Sequence, residues 1–373
     1  MVERVIENYL KKGVEILQVN LSEMYIDDEI KKAVNTVLDS GQYVKGKNLT
    51  AFETEFSAYC NSKYAICVNS GTSAMLLTMM ALGVGRGDEV IVPSHTFIAT
   101  GSPAKFLGAT PVYVDIDPVN YNLDPAKLEE AITPNTKAII PVHLYGHPAD
   151  MDPIMNIAKE HGVYVVEDAC QAHGAEYKGK RTGSIGDFSV FSFFPSKNMT
   201  VAGDGGMVLT DNKEIAHKMS MLRDHGRTDK YLHELLGLNL RMSEISAAIG
   251  RQQLKHLPQW VERRRQIASM YNDLLEDAVT VPREADWAKH AYYVYTLQTP
   301  NRDSLREYLH TKGISTGIYY PVPVHRQPCM EAHDVDLPVT DACVKKILSI
   351  PMHPKLMDEQ VHYIADNIKR GLK

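Results

Sequence analysis

Between residues 64 and 210, short apolar runs alternate with stretches of helical period. Seven of these runs have the length and make-up of strands: 64–69, 89–93, 111–116, 137–142, 163–167, 188–193 and 206–210. Several are apolar at consecutive positions and rich in Val and Ile, as strands covered by helices on both faces must be. Between them the spacing predicts helices over 72–83, 97–107, 124–132 and 150–161, with Gly108 and Gly162 placed as C-terminal caps. This alternation predicts an α/β fold built on a seven-stranded, mostly parallel, doubly wound sheet.

After Asp204-Gly205-Gly206 the pattern changes. A long, charged, amphipathic stretch runs from about Met242 to Glu276, broken only at Pro258, and reads as a connecting helix. Beyond it, an apolar run at 292–298 and helical patterns near 302–312, 338–347 and 357–370 predict a smaller α+β unit. A chain of 373 residues exceeds the roughly 250–300 residues that one core serves. The expected division is a large domain over 1–250, opened by a helical segment, and a small C-terminal domain over 251–373.

Composition narrows the function classes. Hydrophobic residues make up 44% and charged residues 23%, the balance of an ordinary globular protein. The net charge is −6, and the longest basic cluster, Arg263-Arg264-Arg265, sits inside a helical pattern as a solvated face, so nucleic acid is not an expected partner. Five cysteines without a C-x-x-C pair suit neither a disulfide framework nor a structural zinc site, and no metal is expected. The first twenty residues alternate charged and apolar positions, which reads as a surface helix rather than a signal peptide or membrane span. A cytoplasmic protein is expected.

Ligands of open α/β sheets bind beyond the carboxyl ends of the strands, and four strand ends carry chemistry. The first runs into Asn69-Ser70-Gly71-Thr72-Ser73, where a tight turn, two hydroxyls and free helix-start amides can cradle an anion. Alone, this is also an ordinary Ser/Thr cap. The second leads to Phe97, an aromatic plate or a core residue. The fifth closes with Glu167-Asp168, two carboxylates on an apolar strand, and burying a charge demands a partner such as a protonated pyridine, an arginine or a metal. The sixth continues through Ser192 to Lys197 and the glycine turn at 203–206. Most lysines are solvated bystanders, but one beside a buried strand end can act as a Schiff-base amine. Together these make an anion cradle, a plate, a carboxylate and an amine, the parts a pyridoxal 5′-phosphate (PLP) site requires.

With these residues in place, the chain resembles the DegT/DnrJ/EryC1/StrS sugar aminotransferases, within the fold-type I, aspartate-aminotransferase-like PLP enzymes. The likeness runs from Ser40-Gly41-Gln42-Tyr43 to Pro351-Met352-His353-Pro354. It passes in order through Phe52-Glu53, Ser70-Gly71-Thr72, Gly87-Asp88-Glu89-Val90, Thr96-Phe97, Pro111-Val112-Tyr113-Val114-Asp115, Thr136-Lys137-Ala138, Glu167-Asp168-Ala169, Ser192-Phe193 and Gly205-Gly206. The resemblance implies that Lys197 is the Schiff-base lysine and that Asp168 holds the pyridinium proton. It implies Gln171 near the ring hydroxyl, Gly71, Thr72, Ser73 and Ser192 at the phosphate, and Phe97 on the ring face. Asn239 and Arg241 match an N-x-R motif whose Asn reaches the cofactor of a neighbouring subunit, so a homodimer with shared sites is expected. Tyr319, Tyr320 and His325 match a substrate loop, expected to cross the same interface; Asn239 can equally be a turn residue, and the two tyrosines can simply pack.

The resemblance implies transfer of an amino group from glutamate or glutamine to a keto-sugar, best a nucleotide-diphospho-keto-deoxyhexose, in polysaccharide or deoxysugar biosynthesis. Keto-inositol acceptors, a dehydratase branch and a regulatory role are the alternatives within the group. The dehydratases carry His where this chain has Lys197. A nucleotide-binding oxidoreductase would need G-x-G-x-x-G after its first strand, and none is there.

Overall fold

The computed structural model describes residues 18–330, 332 and 335–373; of the helix expected over the first twenty residues, 1–17 lie outside the described residues and 18–20 are not helical. The strands are β1 (Tyr64–Val68), β2 (Glu89–Pro93), β3 (Thr110–Val114), β4 (Thr136–Ile139), β5 (Tyr164–Asp168), the short pair β6 (Glu176–Tyr177) and β7 (Lys180–Arg181), then β8 (Phe188–Ser192), β9 (Gly206–Thr210), β10 (Ala288–Lys289), β11 (Tyr295–Gln298) and β12 (Ile347–Ile350). Helices of eight residues or more are α1 (Asp28–Ser40), α2 (Lys47–Cys60), α3 (Gly71–Leu82), α4 (Met151–His161), α5 (Lys213–Leu222), α6 (Glu244–Leu275), α7 (Arg302–Thr311) and α8 (Asp358–Gly371).

Seven strands form one sheet in the order β1-β9-β8-β5-β4-β2-β3. All run the same way except β9, which is antiparallel to β1 and β8. The crossovers that parallel pairing requires bring helices onto both faces. Ile66, Val68, Val90, Val92, Val166 and Val190 pack with α3 and α5 on one side, while Cys67, Phe191, Met207 and Leu209 pack with α2 and α6 on the other. Because β5 and β8 lie at the centre, the ends of these strands open at the middle of the molecule.

Three expected helices are shorter than their patterns. The stretch 97–107 divides into a 3-10 turn (Ile98–Thr100) and a five-residue helix (Ser102–Phe106), with Pro103 in the first turn of the second; proline suits that position and not a helix interior. The stretch 124–132 is a 3-10 turn followed by four α-helical residues, and the stretch 338–347 is helical only over Pro338–Cys343, with Ile347 already in β12. The opposite holds for α6, whose 32 residues run through Pro258 without a break. An interior proline costs about 3 kcal/mol. Here the ring faces solvent while Leu257, Trp260 and Val261 are buried beside it, and apolar burial outweighs the lost hydrogen bond.

The expected division at 250/251 falls inside α6, which serves two cores. Its first half contributes Leu254, Leu257, Trp260 and Val261 to the core holding Phe52, Phe56 and Phe193. Its second half contributes Ile267, Tyr271 and Leu275 to a separate core with Leu297, Leu305, Ile350 and Ile364, built on β11, β12, α7 and α8.

The start of α6 is tied to the start of α2 by one carboxylate. Gly46 caps α2 without a side chain of its own. Glu244, 2% exposed, accepts instead from the amides of Gly46 (2.8 Å), Asn48 (2.9 Å) and Leu49 (2.9 Å). Free amides at a helix start attract negative charge. Replacing Glu244 with Ala strands buried donors, and hydrogen bonds to charged groups are worth about 1.5–3 kcal/mol each. Glu244→Ala is therefore expected to destabilise the fold by about 3 kcal/mol, read as a lower denaturant midpoint; a midpoint equal to the parent's refutes this role for the carboxylate.

Candidate active site

The consecutive carboxylates at the end of β5 point to opposite faces, as strand geometry demands. Glu167 turns inward and is fully buried. It accepts from His143 Nε2 (2.9 Å) and from the amides of Gly183 (2.7 Å), Ile185 (2.7 Å) and Gly186 (2.8 Å). Burial pushes its carboxyl up, but the His143 contact and the Gly183 and Gly186 amides outweigh that and hold it below its usual value. His143 Nδ1 accepts from Ala149 N (3.0 Å), so Nε2 carries the proton given to Glu167.

Asp168 faces a cavity of about 550 Å³, within the range of small-molecule sites. Thr100 Oγ1 donates to its Oδ2 at 2.7 Å, and Cys170 N to its Oδ1 at 3.2 Å. An ionised carboxylate has about four acceptor positions, so Asp168 retains capacity for a ring N–H. Thr100 was not legible as a site residue; its approach depends on the 3-10 turn after Phe97.

Gly71, Thr72, Phe97, Gln171, Ser192 and Lys197, all singled out from the sequence, line the same cavity. Ser70 caps α3 by accepting from Ser73 N (3.0 Å), and its hydroxyl also meets that of Ser73 (2.9 Å), placing Ser73 beside the cradle rather than on the cavity wall. Two glycines permit the close approach. A Cβ on Gly71 would meet Ser192 Cβ at 2.8 Å and Cys170 Sγ at 3.2 Å, and one on Gly206 would meet Ser70 O at 2.2 Å. The result is a helix start with free amides and converging hydroxyls, an anion site opposite the Asp168 carboxylate. Phosphate at one end, ring nitrogen at the other and an amine alongside suit PLP.

Tyr319 and Tyr320 line this cavity of their own chain. Gln171 Nε2 donates to Tyr320 Oη (3.1 Å), and the Tyr320 ring lies 5.6 Å from that of Phe97. His95 Nε2 hydrogen-bonds the Tyr145 hydroxyl (2.8 Å), which donates to the Tyr319 carbonyl. Tyr145 N in turn donates to Gln171 Oε1 (2.8 Å). Burial holds the His95 imidazole down at about 4.

His325, assigned to the substrate from sequence, does not line the cavity. It is buried, its Nδ1 pairs with Ser94 Oγ, and its Nε2 lies 3.6 Å from Asp341. Burial lowers its pKa. The site's geometry thus makes His325 an anchor under the tyrosine loop.

Arg241 lines a neighbouring cavity of about 440 Å³ with Asn69, Ser70, Asp204, Met242, Ser243 and Ser246; Ser70 and Asp204 are shared with the first. Its guanidinium pairs with buried Asp224, which also takes Lys45 and Arg227 (2.8 Å). Three cations on one carboxylate leave surplus positive charge. Burial, then repulsion from Arg227, lowers the pKa of both Lys45 and Arg241. Asn239 is exposed and lines neither cavity, on a loop where Tyr231 is 80% and Leu236 94% exposed. Among the described residues no cluster of metal-ligating side chains occurs and no helix is long and apolar enough to cross a membrane.

Comparison with known proteins agrees with this geometry. The model of the DegT/DnrJ/EryC1/StrS aminotransferase family matches residues 24–369. The chain is 43% identical over 364 residues to a pleiotropic regulatory protein of Geobacillus stearothermophilus, covering 95% of this chain and 98% of that one. It is also 43% identical over 346 residues to the dTDP-3-amino-3,4,6-trideoxy-alpha-D-glucose transaminase of Streptomyces venezuelae, covering 91% of each. The crystal structure of S. venezuelae DesV in complex with a ketimine intermediate superposes with a TM-score of 0.90 at 40% identity, over 100% of this chain and 97% of that one. With the family model spanning nearly its whole length and the fold shared, this chain belongs to the DegT/DnrJ/EryC1/StrS family and is a PLP-dependent aminotransferase.

Proposed function

We propose that the protein moves an amino group from glutamate or glutamine to the keto carbon of a nucleotide-diphospho-keto-hexose, in two half-reactions at one site. The observation that carries this reading is the convergence of Lys197, Asp168 and the Ser/Thr cradle on one cavity. When bound, PLP supplies an electron sink for the carbon that gives up its proton. The chain's residues do the rest. The α3 amides with Thr72 and Ser192 hold the phosphate, Ser73 braces Ser70 at the cradle, Asp168 holds the ring N–H, Gln171 lies by the ring hydroxyl and Phe97 covers one face. Lys197 carries the proton between donor and cofactor carbons. Because donor and acceptor use the same lysine, they bind in turn, which is a ping-pong order.

The surplus positive charge at Lys45, Arg227 and Arg241, next to the reaction cavity, supports a diphosphate-bearing acceptor. Tyr319 and Tyr320 then line the sugar, with His325 bracing their loop. Exposed Asn239 among exposed Tyr231, Leu232, Leu236 and Leu238 supports a homodimer in which it serves the partner's phosphate, since large exposed apolar patches mark interaction surfaces. One relative is named as a regulatory protein; the assembled lysine and carboxylate favour catalysis for this chain.

Three outcomes are expected. Lys197→Ala folds but loses at least a thousandfold in turnover, the scale of a positioned proton carrier or more; near-parental rates refute the assignment. Mixed under verified subunit exchange, Lys197→Ala and Asn239→Ala protomers recover part of the activity, because one site of the heterodimer regains both residues; absence of recovery rules out shared sites. Arg241→Ala slows the acceptor half-reaction roughly tenfold to a hundredfold, the worth of a charge-assisted hydrogen bond, and leaves the donor half-reaction within about threefold. Both are followed by cofactor absorbance, and equal losses in the two refute an acceptor role for Arg241.

A further inference from the structure

Tyr293 lies in a stretch that the sequence presents only as an apolar strand, yet it reaches Lys197. The Lys197 Nζ sits over the Tyr293 ring, 4.3 Å from its centroid. The Tyr293 hydroxyl meets Ser196 Oγ at 3.0 Å, one residue before the lysine. The ring is 7% exposed and forms part of the wall of the reaction cavity. An aromatic face carries negative quadrupolar potential, and a cation over it gains most where water is excluded.

The backbone of Tyr293 is clamped on both sides. Its amide donates to the Tyr145 carbonyl (2.8 Å), in the turn that also holds Gln171 and Tyr319. Its carbonyl accepts from Arg264 Nη1 (3.2 Å), which also takes the carbonyls of Tyr292 (3.1 Å) and Met352 (2.8 Å). Arg264, expected from its cluster to lie on a solvated face, is buried instead, and burial lowers its pKa to about 10. A guanidinium spent on three carbonyls, with no carboxylate among its hydrogen-bond partners, fixes backbone in place. Here that backbone carries the ring under the lysine.

We infer that Tyr293 is a positioning residue for Lys197: its ring face seats the amine at the wall of the cavity in which the lysine carries its proton. The inference deepens the proposed role of Lys197 but is read without turnover, so the two fail separately. If Lys197→Ala keeps its activity, the lysine is misassigned while the ring contact still stands.

The test is competitive acylation of Lys197 by acetic anhydride at neutral pH, in full-length protein freed of cofactor. Peptide mass spectrometry reads the label against the exposed lysines of the same chain. Cation–π contacts are worth about 0.5–2 kcal/mol, a factor of roughly 2–30 in the rate at which the seated amine leaves the ring and is labelled. Tyr293→Phe keeps the face and labels within about twofold of the parent. Tyr293→Leu labels faster by that larger factor. Should Tyr293→Leu not fold, phenylalanines with increasing numbers of ring fluorines at position 293 keep the shape and drain the face. Labelling then rises stepwise with each fluorine. Labelling of Tyr293→Leu equal to the parent, or flat across the fluorinated series, overturns the inference, as does Tyr293→Phe matching Tyr293→Leu.

Discussion

The active site depends on how β5 disposes of two adjacent carboxylates. A strand end at the centre of a sheet is an expensive place for one buried charge, let alone two. Alternation along the strand separates them. Glu167 is absorbed into the protein by an imidazole and three turn amides, while Asp168 is left facing the cavity with a threonine hydroxyl and one amide. The first arrangement makes the second possible. Because Glu167 binds the 183–186 turn, the start of β8 is pinned beside β5, and β8 delivers Ser192 and then Lys197 to the same strand ends.

A second frame grows from the turn at Tyr145. Its amide orients Gln171, its hydroxyl holds the Tyr319 carbonyl, and its carbonyl receives the Tyr293 amide. Segments far apart in the chain, on the sheet side and on the C-terminal side, thereby meet over the cavity. The tyrosine loop is tied to the sheet of its own chain in this way.

The sheet was legible because its strands are buried on both faces, so Val and Ile run continuously and boundaries shift by only a residue or so at most ends. Asp168, Ser192, Lys197 and the α3 cradle were legible for a related reason: polar groups at the ends of apolar strands have few purposes. Thr100, Tyr145 and Tyr293 left no such mark. Each acts through tertiary approach, and in sequence each looks like a helix hydroxyl, a turn residue or a strand aromatic. His325 was misleading in the opposite direction, since a histidine in a loop motif reads as a ligand until Ser94 and Asp341 are seen to enclose it. Pro258 misled through local propensity, which packing on Leu257, Trp260 and Val261 overrides.

The unbroken α6 has a mechanical consequence. At about 1.5 Å per residue, its 32 residues form one beam embedded at both ends, in the aromatic core around Phe52 at one and in the core around Tyr271 at the other. A loop hinge would let the two cores swing apart; a beam permits only torsion or slight flexure. On the proposed reading, discrimination between acceptors is then left to short levers at the two cavities, the tyrosine loop at one and Arg241 at the other, rather than to a clamshell motion.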